Sequence, residues 1–373
     1  MRTLLLIPSV LKTDIEGAVA ADRHPRMDYH ALAEALREGS DDAADLLDYA
    51  AADGSRHPLV RLAARIGGRD AALATLGWLQ RGKYDAIFTN GENVALPLAL
   101  LLKLCLRRPG HVTIGHRLSA GKKRPFYTLL GAHRQMDTIF VYAQTQRDFA
   151  ESHLHIPPAK LSLIPFHADQ RFYRPQRAAI VRENQLCAAG REWRDYPALL
   201  AAMERLPDMT LKMTTASPWS KSHDRTADLP LPPNVSVRRY EYSELRDLYS
   251  SSVAVCVPLL ENDFSAGVTT LLEAMATGTP VIVTRTEGLA GVITDGENGL
   301  TVAPGDTAGW HTAIVRLRDD DALRERLAHG GRCWLERHAT LDLWTQRVAA
   351  ALRRAAAPAT DPSPASGRIS KIL

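Results

Sequence analysis

The sequence predicts an α/β protein made of two consecutive parallel-sheet units, each covered by helices on both faces. Three observations carry that expectation. The 373 residues suffice for two domains of roughly 150 residues with extensions. Short apolar runs alternate with stretches of helical spacing, the order that builds a parallel sheet. The alternation then starts afresh after Pro175, with no short-period repeat.

In the first unit, TLLLIP (residues 3–8) has the continuous apolar character of a buried strand, and MDYHALAEAL (27–36) spaces its apolar residues as a helix does. DAIFTN (85–90) is a strand leading into an apolar helix from Val94. HVTIGH (111–116) is a strand followed by a Lys/Arg-rich helix. TIFVYA (138–143) and LSLIPF (161–166) are strands around a helix at 146–154. In the second unit the strands are 186–190, 210–215, 235–240, 253–258 and 280–285, with helices at 196–206, 243–251 and 269–277. The resulting division is 1–175, 176–335, terminal helices at 336–354, and a small, Pro-rich, polar tail at 355–373 that reads as disordered.

Composition narrows the function. Apolar residues make up 45% and charged residues 24%, which excludes a disordered or fibrous chain. The longest apolar run, VALPLALLLKLCL (94–106), is broken by Pro97 and Lys103 and falls short of the roughly 20 residues that cross a bilayer. The opening MRTLLLIPSV is shorter than a signal peptide and reads as a first strand. Cys105, Cys187, Cys256 and Cys333 lie far apart without a CxxC pair, so neither a metal site nor a disulfide framework is expected, and a reducing cytoplasm suits them. The net charge is only +4, but residues 103–147 hold nine basic residues against one acid, Asp137. The Lys122–Lys123–Arg124 cluster there has three open readings: a solvated face, a contact with an anionic membrane, or a seat for an acceptor phosphate. Nucleic acid is not expected, since no aromatic-interleaved or helix-turn-helix pattern accompanies the charge.

Ligands of open parallel sheets sit beyond the carboxyl ends of the strands. Candidate residues are therefore Asn90, Gly91 and Glu92; Gly115, His116 and Arg117; His167 and Asp169; Gly190, Arg191 and Arg194; Ser217 and Trp219; and the segment from Glu261. Glu92 either meets an acceptor or caps the next helix. Asp169 either faces the cleft or caps the segment after it. Trp219 either packs in a loop or stacks on a base. In the last segment a strand ends at Pro258, and small residues Ala266 and Gly267 lead into a helix near Thr269. The free N–H groups and positive dipole end of such a helix suit a phosphate. Glu273, one turn in, is placed to accept hydrogen bonds from a ribose diol.

The run LLEAMATGTPVIVT…ITDGENGLTVAPGD resembles the donor-site signature of glycosyltransferase family 4, retaining enzymes of the GT-B fold that use nucleotide sugars. IPFHADQRFYRP (164–175) resembles the family's interdomain segment. AAGREWRDYPALLAAM (188–203) resembles the first strand and helix of its donor domain, and YSELRDLYSSSVAVCVPL (242–259) the helix and strand before the signature. The match covers roughly residues 164–347, and the first half only in outline.

The resemblance implies two Rossmann-like domains facing a cleft, with C-terminal helices crossing back to the first domain. It implies that Glu273 holds the ribose and that Arg191 and Arg194, after Gly190, neutralise the diphosphate. Backbone groups of Ala266, Gly267, Val268 and Thr269 would hold phosphates and sugar, with Tyr240 and Leu245 lining the base pocket. His116 would lie near the transferred sugar, and Glu92, Arg117 and Asp169 on the acceptor side. Ser265 stands where the family commonly has a second Glu, eight residues before Glu273. The expected partners are a nucleotide-diphosphate sugar and a hydroxyl acceptor, with peripheral contact to an anionic membrane and no bound metal or other cofactor. Two alternatives stay open: a non-catalytic nucleotide-sugar-binding scaffold, and a GT-B epimerase.

Overall fold

The computed structural model describes residues 1–11, 14–38, 42–175, 184–214 and 230–357. It contains two six-stranded sheets, both entirely parallel. The first is built from β1 (Arg2–Leu6), β2 (Ala43–Leu47), β3 (Ala86–Thr89), β4 (Gly110–Gly115), β5 (Thr138–Val141) and β6 (Leu161–Leu163), in the order β2-β1-β3-β4-β5-β6. Around it lie α1 (Ile15–Ala20), α2 (Asp28–Arg37), α3 (Tyr49–Asp53), α4 (Pro58–Gln80), α5 (Glu92–Leu102), α6 (Arg124–Thr128) and α7 (Gln144–Leu154). The second sheet holds β7 (Gln185–Ala189), β8 (Thr210–Thr214), β9 (Val235–Val237), β10 (Ala254–Val257), β11 (Val281–Thr284) and β12 (Leu300–Val302), in the order β12-β11-β10-β7-β8-β9. Its helices are α8 (Tyr196–Met203), α9 (Tyr242–Ser251), α10 (Val268–Thr277), α11 (Thr307–Asp319) and α12 (Asp321–His338), and α13 (Leu341–Ala356) follows.

Both sheets are buried on two faces. In β7, Leu186 and Ala188 pack among α8 and α11, while Cys187 and Ala189 pack against α10. A strand alternates its side chains across the sheet, so a run that is apolar throughout needs a helix layer on each side.

Four expectations need correction. The edge strand β2 escapes a sequence reading because AADLL has little apolar content, and β12 because it is only three residues long. The Lys/Arg-rich helix after β4 is one short helix, α6, with a 3-10 turn at Gly121–Lys123 before it; Gly131, at φ 58°, follows it in a left-handed turn. The crossing to the first half also begins later than residue 336. α12 runs to His338 and packs on α10; only after a break at Ala339 and Thr340 does α13 pack on α2, β3 and β4. Thr340 accepts from the Leu343 N–H at 3.2 Å and starts the new helix. The apolar face of α13, with Leu341, Trp344, Val348 and Leu352 at helical spacing, enters the first core. The boundary residues 176–183 and the tail from 358 lie outside the described residues.

The halves are tied where the chain crosses. Ala168 donates to the Ala339 carbonyl at 3.0 Å and accepts from the Leu341 N–H at 2.9 Å. Beside it, Arg26 is clasped by Asp169 (2.7 Å) and Asp342 (2.9 Å). Arg246 of the second half and Arg174, at the end of the first, both reach Asp22, each at 2.9 Å. The side chains of Asp169 and Asp342 are 3% and 32% exposed, so the two should differ in weight. Asp169→Ala strands the half-buried Arg26 and should cost about 3 kcal/mol in urea unfolding; Asp342→Ala should cost under about 1 kcal/mol.

Candidate functional site

The second sheet reverses its strand order between β7 and β10, and a crevice opens there at the carboxyl ends. The two loops leaving those strands are laced together. The Asp195 N–H donates to the Pro258 carbonyl at 3.2 Å, and the Leu260 N–H to the Trp193 carbonyl at 3.0 Å. Gly190 turns at φ 104°, and a Cβ there would collide with the Arg194 guanidinium. That guanidinium donates twice to the Ala189 carbonyl (3.1 and 2.9 Å) and once to the Glu192 carbonyl (3.0 Å). It packs against Gly267, whose left-handed φ of 73° starts α10. No side chain caps this helix start. A fixed positive charge and the positive end of a helix dipole therefore share one small seat, which suits an anion. Arg191 stands beside it with its Nε buried and unpartnered. Within the seat Thr269 is exposed, whereas the Ala266 and Val268 side chains are buried. This leaves the 266–269 backbone as the part available to a ligand.

Glu273 lies farther along α10, half-buried. The Tyr249 hydroxyl donates to its Oε2 at 3.1 Å. Burial pushes its pKa up to about 7, against the Tyr173 and Tyr249 hydroxyls, which favour the carboxylate. Among the described residues, no cation offsets the burial.

Glu92 has the opposite surroundings. Its carboxylate accepts the N–H groups of His116 (3.0 Å) and Arg117 (2.9 Å) and pairs with Lys123. Burial pulls its pKa up, but the His116 ring, Lys123 and these bonds hold it below the ordinary carboxylate range. The acceptor-side expectation for Glu92 is thus corrected: it is buried and organises the turn after β4. Asp169 is corrected likewise, since Arg26 takes both its oxygens and it faces away from solvent. His116 is exposed in the turn after β4, its ring 5.6 Å from Tyr142. The surrounding protein lowers its pKa, against the Glu92 carboxylate.

The two halves meet at this cleft. Arg117 lies over the rings of Phe264 (4.9 Å) and Trp193 (5.5 Å). Thr145 Oγ1 donates to the Asp263 carbonyl at 2.8 Å. On another flank the His24 and Tyr242 rings are 4.3 Å apart. The Ser265 hydroxyl donates to the Gly288 carbonyl at 3.3 Å. Tyr240 carries Arg238 on its ring at 3.8 Å and lines a cavity of about 410 Å³ with Gln185, Lys212 and Ser236. Its other wall is α9, through Glu244, Asp247, Leu248 and Ser251. Leu245 is half-buried in the same apolar cluster as Tyr240. Ser217 and Trp219 lie outside the described residues. Among the described residues, no group of three or more His, Cys, Asp or Glu is placed to hold a metal, and no helix is long and apolar enough to cross a membrane.

Residues 184–320 match the family described as glycosyl transferases group 1. The matched segment holds the second sheet from β7 to β12 and the helices α8 to α11. The lipopolysaccharide core biosynthesis glycosyltransferase LpsE of Rhizobium meliloti is 43% identical over 83 residues, 21% of this chain and 24% of its own length. The MMP alpha-(1->4)-mannosyltransferase of Mycolicibacterium hassiacum is 30% identical over 193 residues, 50% of this chain and 45% of its own. The matched segments thus span about a quarter to a half of these relatives. Anabaena HepE, solved in complex with UDP, superposes with a TM-score of 0.69 at 15% identity, over 95% of this chain and 100% of that one. A glycosyltransferase from Rickettsia africae superposes with a TM-score of 0.70 at 14% identity, over 95% and 98%. The chain thus has the GT-B fold, two parallel sheets facing a cleft.

Sequence reasoning missed Trp193, Phe264, Tyr173 and Tyr249 as neighbours of the candidate site. Trp193 alone left a trace, as a bulky residue in the turn between Gly190 and Arg194; it takes a left-handed φ of 57°. Glu273 should govern a pH dependence. Its carboxylate can accept hydrogen bonds from a ligand's hydroxyls, and protonation below pH 7 removes that capacity. Nucleotide affinity should fall about fivefold between pH 7 and pH 6, measured by titration calorimetry, and Glu273→Gln should flatten the profile.

Proposed function

We propose that this protein is a retaining, family 4-type glycosyltransferase that moves a sugar from a nucleotide-diphosphate sugar to an acceptor hydroxyl of a glycan, lipid-linked or small-molecule acceptor. The observation that carries this is the meeting of Arg194, Gly190 and the start of α10 in one anion seat, with Glu273 on the same helix.

In this reading the diphosphate rests on the 266–269 backbone, Arg191 and Arg194, and the ribose on Glu273. The sugar then projects toward His116 and Arg117. The bond from anomeric carbon to phosphate oxygen breaks as the acceptor oxygen bonds to that carbon from the same face. The acceptor proton passes to the departing phosphate. The arginines and helix dipole stabilise the charge that builds on the leaving diphosphate, which is the part of the barrier a fixed electrostatic site lowers most. Alignment of donor and acceptor supplies the rest. Those fixed charges take the place a metal would fill, so the reaction is expected to be metal-independent. The name of LpsE, a lipopolysaccharide core biosynthesis glycosyltransferase, supports polysaccharide or glycolipid biosynthesis as the setting.

UDP, the ligand of HepE, is the first nucleotide to test, followed by GDP, ADP and dTDP. In a thermal-shift panel with chelator present, one series should raise Tm, since a ligand at a hundred times its Kd adds about 2.7 kcal/mol of stability. Slow donor hydrolysis without acceptor should accompany binding. Binding without hydrolysis or transfer would make the protein a scaffold. Arg194→Ala should lower kcat about 100-fold to 1,000-fold, as loss of a preorganised donor does elsewhere; an unchanged kcat would remove Arg194 from the reaction.

A further inference from the structure

We propose that the Trp193 ring is a stacking platform for a pyranose of the acceptor, so that the end of the acceptor held at the cleft is an uncharged sugar. The word acceptor rests on the function reading above, but binding of a pyranose to the ring is measured without it.

Trp193 stands in the turn between β7 and α8 with a left-handed φ of 57°. That conformation disfavours a bulky side chain, and Gly or Asn would serve such a turn better. The turn is held by its backbone, through the Trp193 carbonyl on the Leu260 N–H (3.0 Å) and the Asp195 N–H on the Pro258 carbonyl (3.2 Å). A residue kept in a costly conformation by its surroundings is a mark of functional sites. Packing does not use up the ring. It meets Phe264 edge to face, at 5.5 Å and 82°, yet 38% of Trp193 stays exposed. Leu260, its backbone partner, is 48% exposed beside it. The turn ends at Arg194, so the ring borders the anion seat. From the first half the Arg117 guanidinium reaches it at 5.5 Å, so the ring also borders the opposite wall of the cleft.

A pyranose has an apolar face of C–H groups and a rim of hydroxyls. Its C–H groups suit the electron-rich face of an indole, and its hydroxyls need both donors and acceptors. Both kinds stand here. The Arg117 guanidinium is exposed and has no hydrogen-bond or carboxylate partner among the described residues, which leaves its N–H groups for hydroxyl oxygens. Glu192 and Glu261, next in the chain to Trp193 and Leu260, are exposed and have no ion pair among the described residues. Their carboxylates can accept from hydroxyls. An apolar ring with charges of both signs around it fits an uncharged, hydroxyl-rich ligand better than an anion or an acyl chain.

The test is binding of methyl α-glucoside, methyl α-galactoside, methyl α-mannoside and maltose to the full chain, with and without UDP, read by saturation-transfer NMR and by tryptophan fluorescence. At least one of the four should bind and show transfer to the C–H protons of one ring face. W193A should weaken that sugar about tenfold or more, and W193F by less than about threefold, since a phenyl ring keeps a stacking face. In a transfer assay the W193A loss should fall on the KM for that sugar, with kcat and the donor KM within about twofold of wild type. Binding of none of the four to folded wild-type protein, or equal binding by W193A, would overturn the proposal. A raised UDP-sugar KM with unchanged pyranoside affinity would overturn it too, assigning the ring to the donor's sugar. So would loss of the UDP thermal shift in both variants, which would reduce the ring to a prop for the turn from Gly190 to Arg194. Pyranoside binding that needs Trp193, in a protein that no nucleotide stabilises, would leave the platform standing and remove the glycosyltransferase reading.

Discussion

Ala168 is hydrogen-bonded on both sides by the chain passing from α12 to α13, and the arrangement of the two halves depends on that stitch. It fixes two crossings, the one after β6 and the one before α13, at the same point. With Arg26 clasped between Asp169 and Asp342 just beside it, the crossings share one anchor. Two parallel sheets have no inherent reason to point their carboxyl edges into a common space. Here they do so because the chain leaves the first half and returns to it at one place, and α13 then buries Trp344 against Phe88 in the first core.

Within that frame, two carboxylates show how surroundings divide roles. Glu92 and Glu273 both sit in helices beside the cleft. Glu92 is met by Lys123 and two backbone N–H groups, so it stays ionised and holds the turn that presents His116 and Arg117. Glu273 is met by phenol hydroxyls alone, and burial moves it to about pH 7. A carboxylate that its own protein satisfies becomes structure. One left short of partners keeps hydrogen-bonding capacity for a ligand.

The anion seat follows the same logic. Gly190 and Gly267 lack side chains where the Arg194 guanidinium must fit, and each turns through a left-handed φ. The charge is thereby brought to the uncapped start of α10 without an acid to neutralise it. Arg117, stacked on Phe264 and Trp193, joins this seat to the opposite half. A ligand in the seat would therefore be in reach of both sheets, which fits a reaction between a donor held by one half and an acceptor held by the other.

Local signals carried much of this into the sequence. The alternation of strand and helix, the run from Leu271 to Asp306, and the glycine–arginine pair after β7 all act within one element and its next turn, so the two-sheet fold and the turn after β7 were legible. Tertiary structure decided the rest, because partners far apart in the chain set a side chain's role. Glu92 and Asp169 read as cleft residues until Lys123 and Arg26 were seen to take their charge. Lys123 read as part of a basic face for the same reason. The exposed leucines of 104–106 and 129–130 belong to separate apolar stretches in the sequence. Only folding places them on joined turns at the surface instead of in the core. Sequence sets which residues can be buried or charged; which partner satisfies each is a question of distance, and distance exists only in the folded chain.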